Sequence, residues 1–272
     1  MPGLAAAAVA VNLGLAGKAV IVTGASRGIG LAVVQGLVRE GAQVAAGARA
    51  GSPELAALAD QGDVMVVLGD LTTAAGCQAL VDAAVARFGG VDVLVNNVGG
   101  VHPRTEGFLG VTDEDWQWAI EMNLFSAVRA TRAALPHLLR SAPSTVVTVC
   151  SVNASLPDPD VVDYSAAKAA LRSFCKSLSK EFGPRGVRVN TVSPGPVETA
   201  LWLGPGGVAE TVGRAQAIDP AAVRAAAVAG TPTERFTHPE EVAELVLFLA
   251  SGTAGNITGT DVVIDGGMVT TI

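Results

Sequence analysis

Tyr164 and Lys168 stand four positions apart in the run Tyr164-Ser165-Ala166-Ala167-Lys168, in a chain with one tyrosine and four lysines. On a helix this spacing stacks the phenol and the ammonium on one face. A cation near a phenol favours the phenolate, so the pair is expected to draw the tyrosine pKa down from about 10 toward working pH. Tyr164 is then a candidate proton donor and acceptor. A surface tyrosine beside a solvated lysine has the same spacing, and only other parts of the chain decide between the two.

Those parts alternate between strand and helix. Apolar runs of strand length recur at 19–23, 43–47, 64–68, 91–95, 145–150, 187–192 and 261–264, with helical patterns at 29–40, 53–60, 73–88, 113–139, 162–182 and 239–250. Uniformly apolar strands between helices predict an α/β fold, a doubly wound, Rossmann-type, seven-stranded parallel sheet with helices on both faces. Thr112 before Asp113-Glu114-Asp115 reads as a helix N-cap with first-turn acids, and Pro239 before Glu240 and Glu241 as a helix start. No linker divides the chain, so residues 13–272 are expected to form one domain. The stretch 200–232 breaks the alternation after the sixth strand and is expected to be a small helical lid over a site at the strand ends.

Directly after the first strand comes Thr23-Gly24-Ala25-Ser26-Arg27-Gly28-Ile29-Gly30, followed by a helical pattern. Glycines permit a tight turn and close backbone approach, and the helix N-terminus offers free N–H groups to a pyrophosphate. Gly24, Ser26, Arg27, Gly28, Ile29 and Gly30 are therefore candidate nucleotide contacts.

With Tyr164-x-x-x-Lys168 downstream of Gly24-x-x-x-Gly28-x-Gly30, the chain resembles the short-chain dehydrogenase/reductase family from about Leu13 to its C-terminus. Only residues 1–12, expected to be an N-terminal extension, and 200–232 fall outside that likeness. The resemblance implies a catalytic set of Asn123, Ser151, Tyr164 and Lys168, with Ser151 lying 13 residues before Tyr164. It implies hydride transfer between a nicotinamide and a carbonyl carbon, with Ser151 hydrogen-bonding the carbonyl oxygen and Tyr164 protonating it. Lys168 would also meet the nicotinamide ribose, and Asn123, through a local helix kink and a held water, would replenish the proton. Asp70 and the adjoining Leu71 match the segment that meets adenine. Asn97 and Gly99, in Asn96-Asn97-Val98-Gly99, match the segment beside the cofactor, though tying adjacent strands is an equal reading for Asn97. Pro194, Gly195, Val197 and Thr199 match the segment that passes the nicotinamide.

Cofactor choice follows from charge. An acid about 20 residues beyond the glycine turn would bind a ribose 2′-hydroxyl, whereas arginine there accommodates a 2′-phosphate. Counting from Gly28 reaches Ala48 and Arg49, with Arg27 as a second cation and Ser26 as a donor. NADP(H) is expected in preference to NAD(H), unless Arg49 is merely a solvated loop residue.

Substrate contacts are expected from Asn153, His102 and Trp202, with a solvated loop position as the competing reading for His102 and a lid or interface anchor for Trp202. Leu201, Trp202, Leu203, Val208, Val212 and Ile218 make the lid apolar, which fits a ketone or a 3-oxoacyl group. The expected function is NADPH-dependent carbonyl reduction. The reverse alcohol oxidation and a catalytically silent nucleotide-sensing module are the alternatives. Enoyl reduction is disfavoured, because that branch of the family places its tyrosine farther from the lysine.

Net charge is −7 with no basic block, so no nucleic-acid footprint is expected. Residues 4–11 are apolar yet shorter than a membrane span and lack a basic leader, so no membrane partner is expected. Cys77, Cys150 and Cys175 lack metal or redox spacing, and His102, His137 and His238 are dispersed, so no metal site and a reducing, cytoplasmic setting are expected. The resemblance adds a homotetramer, with a small-molecule carbonyl or alcohol as the substrate.

Overall fold

A computed structural model describes residues 12–271. Of the expected N-terminal extension, residues 1–11 lie outside the described part, and Asn12 turns its Oδ1 to the Gly14 N–H at 2.8 Å. The strands are β1 (Ala19–Thr23), β2 (Gln43–Ala48), β3 (Val64–Leu68), β4 (Val93–Asn96), β5 (Ser144–Val149), β6 (Val187–Pro194) and β7 (Asp261–Ile264). They form one seven-stranded parallel sheet in the order β3-β2-β1-β4-β5-β6-β7.

Ten α-helices among the described residues connect and cover the strands. They are α1 (Gly28–Arg39), α2 (Pro53–Gln61), α3 (Ala74–Phe88), α4 (Asp113–Ile120), α5 (Ser126–Arg140), α6 (Val162–Phe182), α7 (Ala200–Leu203), α8 (Val208–Gln216), α9 (Pro220–Ala229) and α10 (Pro239–Ala250). Alternation along each strand divides the core into two layers. Val20, Val22, Val44 and Val95 pack with Val33 and Leu37 of α1 and Val242 and Val246 of α10. Ile21, Leu94 and Val146 pack on the other face with Leu80 of α3, Leu138 of α5 and Leu171 of α6. Side chains buried on both faces explain why the strands read as unbroken apolar runs.

Helix starts follow local chemistry. Ser52 accepts the Leu55 N–H at 3.1 Å ahead of α2, Thr73 accepts the Gly76 N–H at 3.0 Å ahead of α3, and Thr112 and Asp115 form a reciprocal capping box on α4. Pro239 opens α10, and the Glu241 carboxylate accepts the His238 N–H at 2.8 Å.

Four boundaries depart from the sequence expectation. The fourth strand begins at Val93 rather than 91, because Asp92 takes the Ala19 N–H at 2.9 Å and the Lys18 ammonium at 3.1 Å ahead of regular pairing. The fifth ends at Val149, which leaves Cys150 and Ser151 beyond the strand rather than at its tip. The sixth runs on to Pro194 because β7 pairs with it as far as Ile264. The single helix expected at 113–139 is divided by a π turn, Glu121–Phe125, centred on Asn123. The 200–232 stretch is helical as expected, holding α7, α8 and α9. Among the described residues no helix is long and apolar enough to cross a membrane.

The strand order reverses between β1 and β4, where a ligand crevice forms at the carboxyl ends. Asn97 ties this point together: its Nδ2 donates to Thr23 O at 3.1 Å and Gly24 O at 3.0 Å, and its N–H to Thr23 Oγ1 at 2.9 Å. The strand-tying reading of Asn97 is the one these contacts support. Replacing Asn97 by Ala strands two partly buried carbonyls and is expected to lower stability by about 1–3 kcal/mol. Urea unfolding midpoints check this, and an unchanged midpoint would show the tie to be dispensable.

Candidate active site

The crevice begins at the glycine turn. Gly24 and Gly28 sit at φ of 69° and 55°, where a side chain is strained. A Cβ at Gly30 would lie 2.2 Å from Gly24 O and 2.5 Å from Asn97 Nδ2, so only glycine lets α1 approach the β1 end this closely. Arg27 precedes α1 in extended conformation with no side-chain cap, which leaves the first N–H groups of the helix without a side-chain partner. Uncapped donors at the end of a turn that only glycine can close fit a pyrophosphate. Across the crevice, Thr199 Cγ2 lies 3.2 Å from where a Cβ of Gly28 would stand. Val197 is buried and pairs in parallel with Thr237, which pins the segment from Pro194 to Thr199 over the turn. Gly195 is set by packing, since a Cβ there would come within 3.0 Å of Asp265 Cα.

At the adenosine end, Asp70 is exposed and accepts the Thr72 N–H at 2.9 Å and its hydroxyl at 2.7 Å. Those hydrogen bonds, above all the one from the Thr72 hydroxyl, hold its carboxyl below the usual range, with Arg49 adding a smaller pull. Leu71 turns inward into the core beside Leu80. Arg27 and Arg49 are exposed at the rim.

At the other end of the crevice, α6 presses against the end of β5. Lys168 is 3% exposed, and its ammonium donates to Val149 O at 3.1 Å. Burial pushes its pKa down. The Lys168 Nζ lies 5.7 Å from the Tyr164 ring centroid. Ser151 Oγ accepts the Asn153 N–H at 3.2 Å and lies 3.1 Å from Asn153 Oδ1. The Ser151 hydroxyl lies close enough to the Tyr164 phenol to draw its pKa downward. Asn123 is fully buried; its Nδ2 donates to Gly100 O at 2.9 Å and Ala119 O at 3.0 Å, and its Oδ1 accepts the Gly100 N–H at 3.0 Å. A Cβ at Gly99 would stand 3.1 Å from Asn123 Oδ1 and 3.3 Å from Lys168 Nζ, so the Gly99-Gly100 strip, Asn123 and Lys168 are packed as one unit.

The comparisons with known proteins agree with this geometry. A family model described as enoyl-(acyl carrier protein) reductase matches residues 24–269. The 3-oxoacyl-[acyl-carrier-protein] reductase of Vibrio cholerae is 35% identical over 94% of this chain and 99% of its own. The chain belongs to the short-chain dehydrogenase/reductase family. It is an NAD(P)-dependent oxidoreductase acting on CH–OH and C=O groups. Another relative at 34% identity is 3β-hydroxysteroid dehydrogenase 1 of Eggerthella lenta, covering 93% of this chain and 94% of its own. Among solved structures, L-sorbose reductase of Gluconobacter frateurii complexed with NADPH and L-sorbose superposes at a TM-score of 0.88 with 31% identity, covering 96% of this chain and 100% of its own.

Within this short-chain dehydrogenase/reductase, several sequence expectations are revised. Lys168 does not draw the Tyr164 phenol down in the cofactor-free protein. Burial pushes the phenol up to about 12, against a smaller downward pull from the Ser151 hydrogen bond and a small upward push from Cys150. The reason is that the cost of desolvating the phenolate outweighs what the Ser151 hydroxyl returns. Both Asn123 amide hydrogens donate to carbonyls, and the side chain holds the π turn and the Gly100 strip. Asn153 is engaged with Ser151. His102 is exposed yet not merely a solvated loop residue, since it stacks on Trp118 with ring centroids 3.8 Å apart and planes 10° apart. Burial, with help from Arg104, pushes its pKa down. Trp202 meets Phe236 edge-to-face at 5.6 Å, which makes it an anchor of the 200–232 segment.

Sequence reasoning missed Trp118, Arg104 and Asp163. Asp163 reads as an ordinary first-turn acid of a helix and Arg104 as a loop cation, and nothing in their spacing brings them together.

A phenol that titrates at about 12 folded and 10 unfolded binds its proton more tightly in the folded state. Its contribution to stability is complete below pH 10 and is lost as pH rises through 12. Tyr164→Phe is therefore expected to unfold with a shallower loss of stability over that window than the wild type, measured by urea midpoints at successive pH. Parallel curves for the two proteins would contradict the raised phenol pKa.

Proposed function

We propose that the protein is an NADPH-preferring carbonyl reductase acting on a ketone or a 3-oxoacyl group. The observation that carries this reading is the convergence of the Ser151 hydroxyl, the Tyr164 phenol and the buried Lys168 ammonium where α6 meets the end of β5. The bound nicotinamide would supply the hydride to the carbonyl carbon. Negative charge then develops on the carbonyl oxygen, where Ser151 donates a hydrogen bond and Tyr164 gives up its proton. The raised pKa keeps that proton on Tyr164 at neutral pH until such charge appears. Lys168 retains two ammonium hydrogens beyond the one given to Val149 O, available to a cofactor ribose and to the phenol as it ionises. Asn153 orients the Ser151 hydroxyl, and Asn123 keeps Gly99 and Gly100 against Lys168.

Preference for a 2′-phosphate is supported by Arg27 and Arg49 at the rim and by the absence of an acid where β2 ends. The NADPH bound to L-sorbose reductase supports the same choice by likeness. Segment 200–232 would serve as the lid of a unit spanning 13–272. Leu201 and Ile218 of that segment are exposed apolar side chains, and an apolar lid supports a bulky or apolar carbonyl compound. Enoyl reduction, the activity in the matching family description, is disfavoured by the four-residue spacing of Tyr164 and Lys168. The reading extends to a homotetramer in the cytoplasm, the latter supported by three buried free thiols, Cys77, Cys150 and Cys175.

A spectrophotometric screen of NADPH oxidation against ketones, 3-oxoacyl thioesters and enoyl thioesters tests this. Turnover is expected with the oxo compounds; turnover confined to the enoyl compounds, or to none, would refute the reading. Arg49→Asp is expected to raise the KM for NADPH by about tenfold or more while leaving that for NADH within about threefold. Equal KM values for the two cofactors in the unmodified protein would remove the proposed preference.

A further inference from the structure

One buried ion pair has no part in the reaction scheme, yet it ends one residue before the proposed proton donor. Asp163 has 2% of its side chain exposed and Arg104 has 11%. Arg104 donates Nε to Asp163 Oδ2 at 3.1 Å, Nη2 to the same oxygen, and Nη1 to Asp115 Oδ1 at 2.8 Å. Its backbone N–H donates to Asp160 O at 2.6 Å, in the turn that leads into α6. The other oxygen of Asp163 accepts the Tyr164 N–H at 2.9 Å. A single guanidinium therefore joins the loop after β4, the capping box of α4 and the first turn of α6.

Fold stability alone does not call for this arrangement. An acid in the first turn of a helix meets the helix dipole just as well from the surface, and a buried ion pair recovers its desolvation cost only when its geometry is good. Apolar residues of similar size commonly serve as well or better. What the pair does accomplish is local to Tyr164. It fixes the backbone N–H of that residue, and it pulls the loop carrying Gly99, Gly100 and His102 onto the catalytic helix.

We propose that Arg104 is a positioning residue for Tyr164: through Asp163 it locks the first turn of α6 to the loop after β4 and neutralises the carboxylate that holds the Tyr164 backbone N–H. The proposal rests on the reading of Tyr164 as proton donor. Charged and titratable groups surround this turn on every side. Asp163 and Lys168 lie on α6 itself, Asp158 and Asp160 in the turn before it, Cys150 past the end of β5, His102 and Arg104 in the loop, and Asp115 on α4. Removing Asp163 takes one negative charge from this set, and removing Arg104 takes one positive charge. The two changes are therefore expected to act on the phenol in opposite directions, a pattern that lost packing alone would not produce.

Tyr164 is the only tyrosine in the chain, so a carbon-13 label at tyrosine Cζ gives one resonance that reports this phenol directly, with no substrate needed. The experiment titrates the cofactor-free wild type, Asp163→Asn, Arg104→Met and the double variant. Asp163→Asn keeps an oxygen for Arg104 and is expected to lower the midpoint by about half a unit or more, Arg104→Met to raise it, and the double variant to return to within about 0.3 unit of wild type. In turnover, Arg104→Met is expected to lose about tenfold or more in kcat while NADPH affinity stays within about twofold. Equal midpoints in wild type and Asp163→Asn overturn the proposal, as does wild-type kcat in Arg104→Met. If Arg104→Met does not fold, the shift in Asp163→Asn decides. A wild type that turns over no carbonyl compound counts against the functional reading alone, and the midpoints still decide the pairing.

Discussion

Lys168 places an ammonium where water does not reach, with Val149 O as its hydrogen-bond partner at 3.1 Å in the protein. Burying a cation is costly, and its surroundings are shaped to make that possible. The helix that carries it must lie close against β5, so Ala167, Leu171 and Cys175 face the sheet, and Cys150 Sγ meets the Lys168 carbonyl at 3.3 Å. A Cβ at Gly99 in the strip opposite would stand 3.3 Å from the ammonium, and glycine there leaves the lysine its room. That strip in turn is held by Asn123, whose amide would be a liability in a regular helix and is accommodated by a π turn. The chain of requirements runs from one buried charge to a loop, a helix irregularity and a strand end.

The same burial governs the phenol. A tyrosine whose pKa is pushed up to about 12 is a weak acid that holds its proton at neutral pH. Function of the proposed kind needs that proton to be released when charge grows nearby, and the Ser151 hydroxyl, the Lys168 ammonium and the uncapped α1 start all direct positive potential into the crevice. The crevice is thus lined by donors that the fold engages only in part, Ser151 through Asn153 and Lys168 through Val149 O. Such donors favour any ligand that supplies oxygen atoms.

The sheet was legible in the sequence because a strand buried on both faces must be apolar throughout, and the helices because caps such as Thr112 and Pro239 mark their starts. The glycine turn was legible for a similar reason: Gly30 admits no other residue. What could not be read depends on contacts between distant segments. The π turn at Asn123 arises from Gly100, 23 positions away, and the Arg104–Asp163 pair spans 59. The direction of the Tyr164 shift was missed because spacing reveals the cation beside the phenol but not the burial of the phenol.

The central claim is that Tyr164 supplies the proton when a carbonyl is reduced. Its most direct measurement is turnover of Tyr164→Phe on a carbonyl compound that the wild type reduces, with NADPH binding followed in parallel by nucleotide fluorescence. Removal of the proton donor is expected to lower kcat by about a thousandfold or more while the NADPH dissociation constant stays within about threefold. A phenylalanine variant that turns over at the wild-type rate would contradict the account.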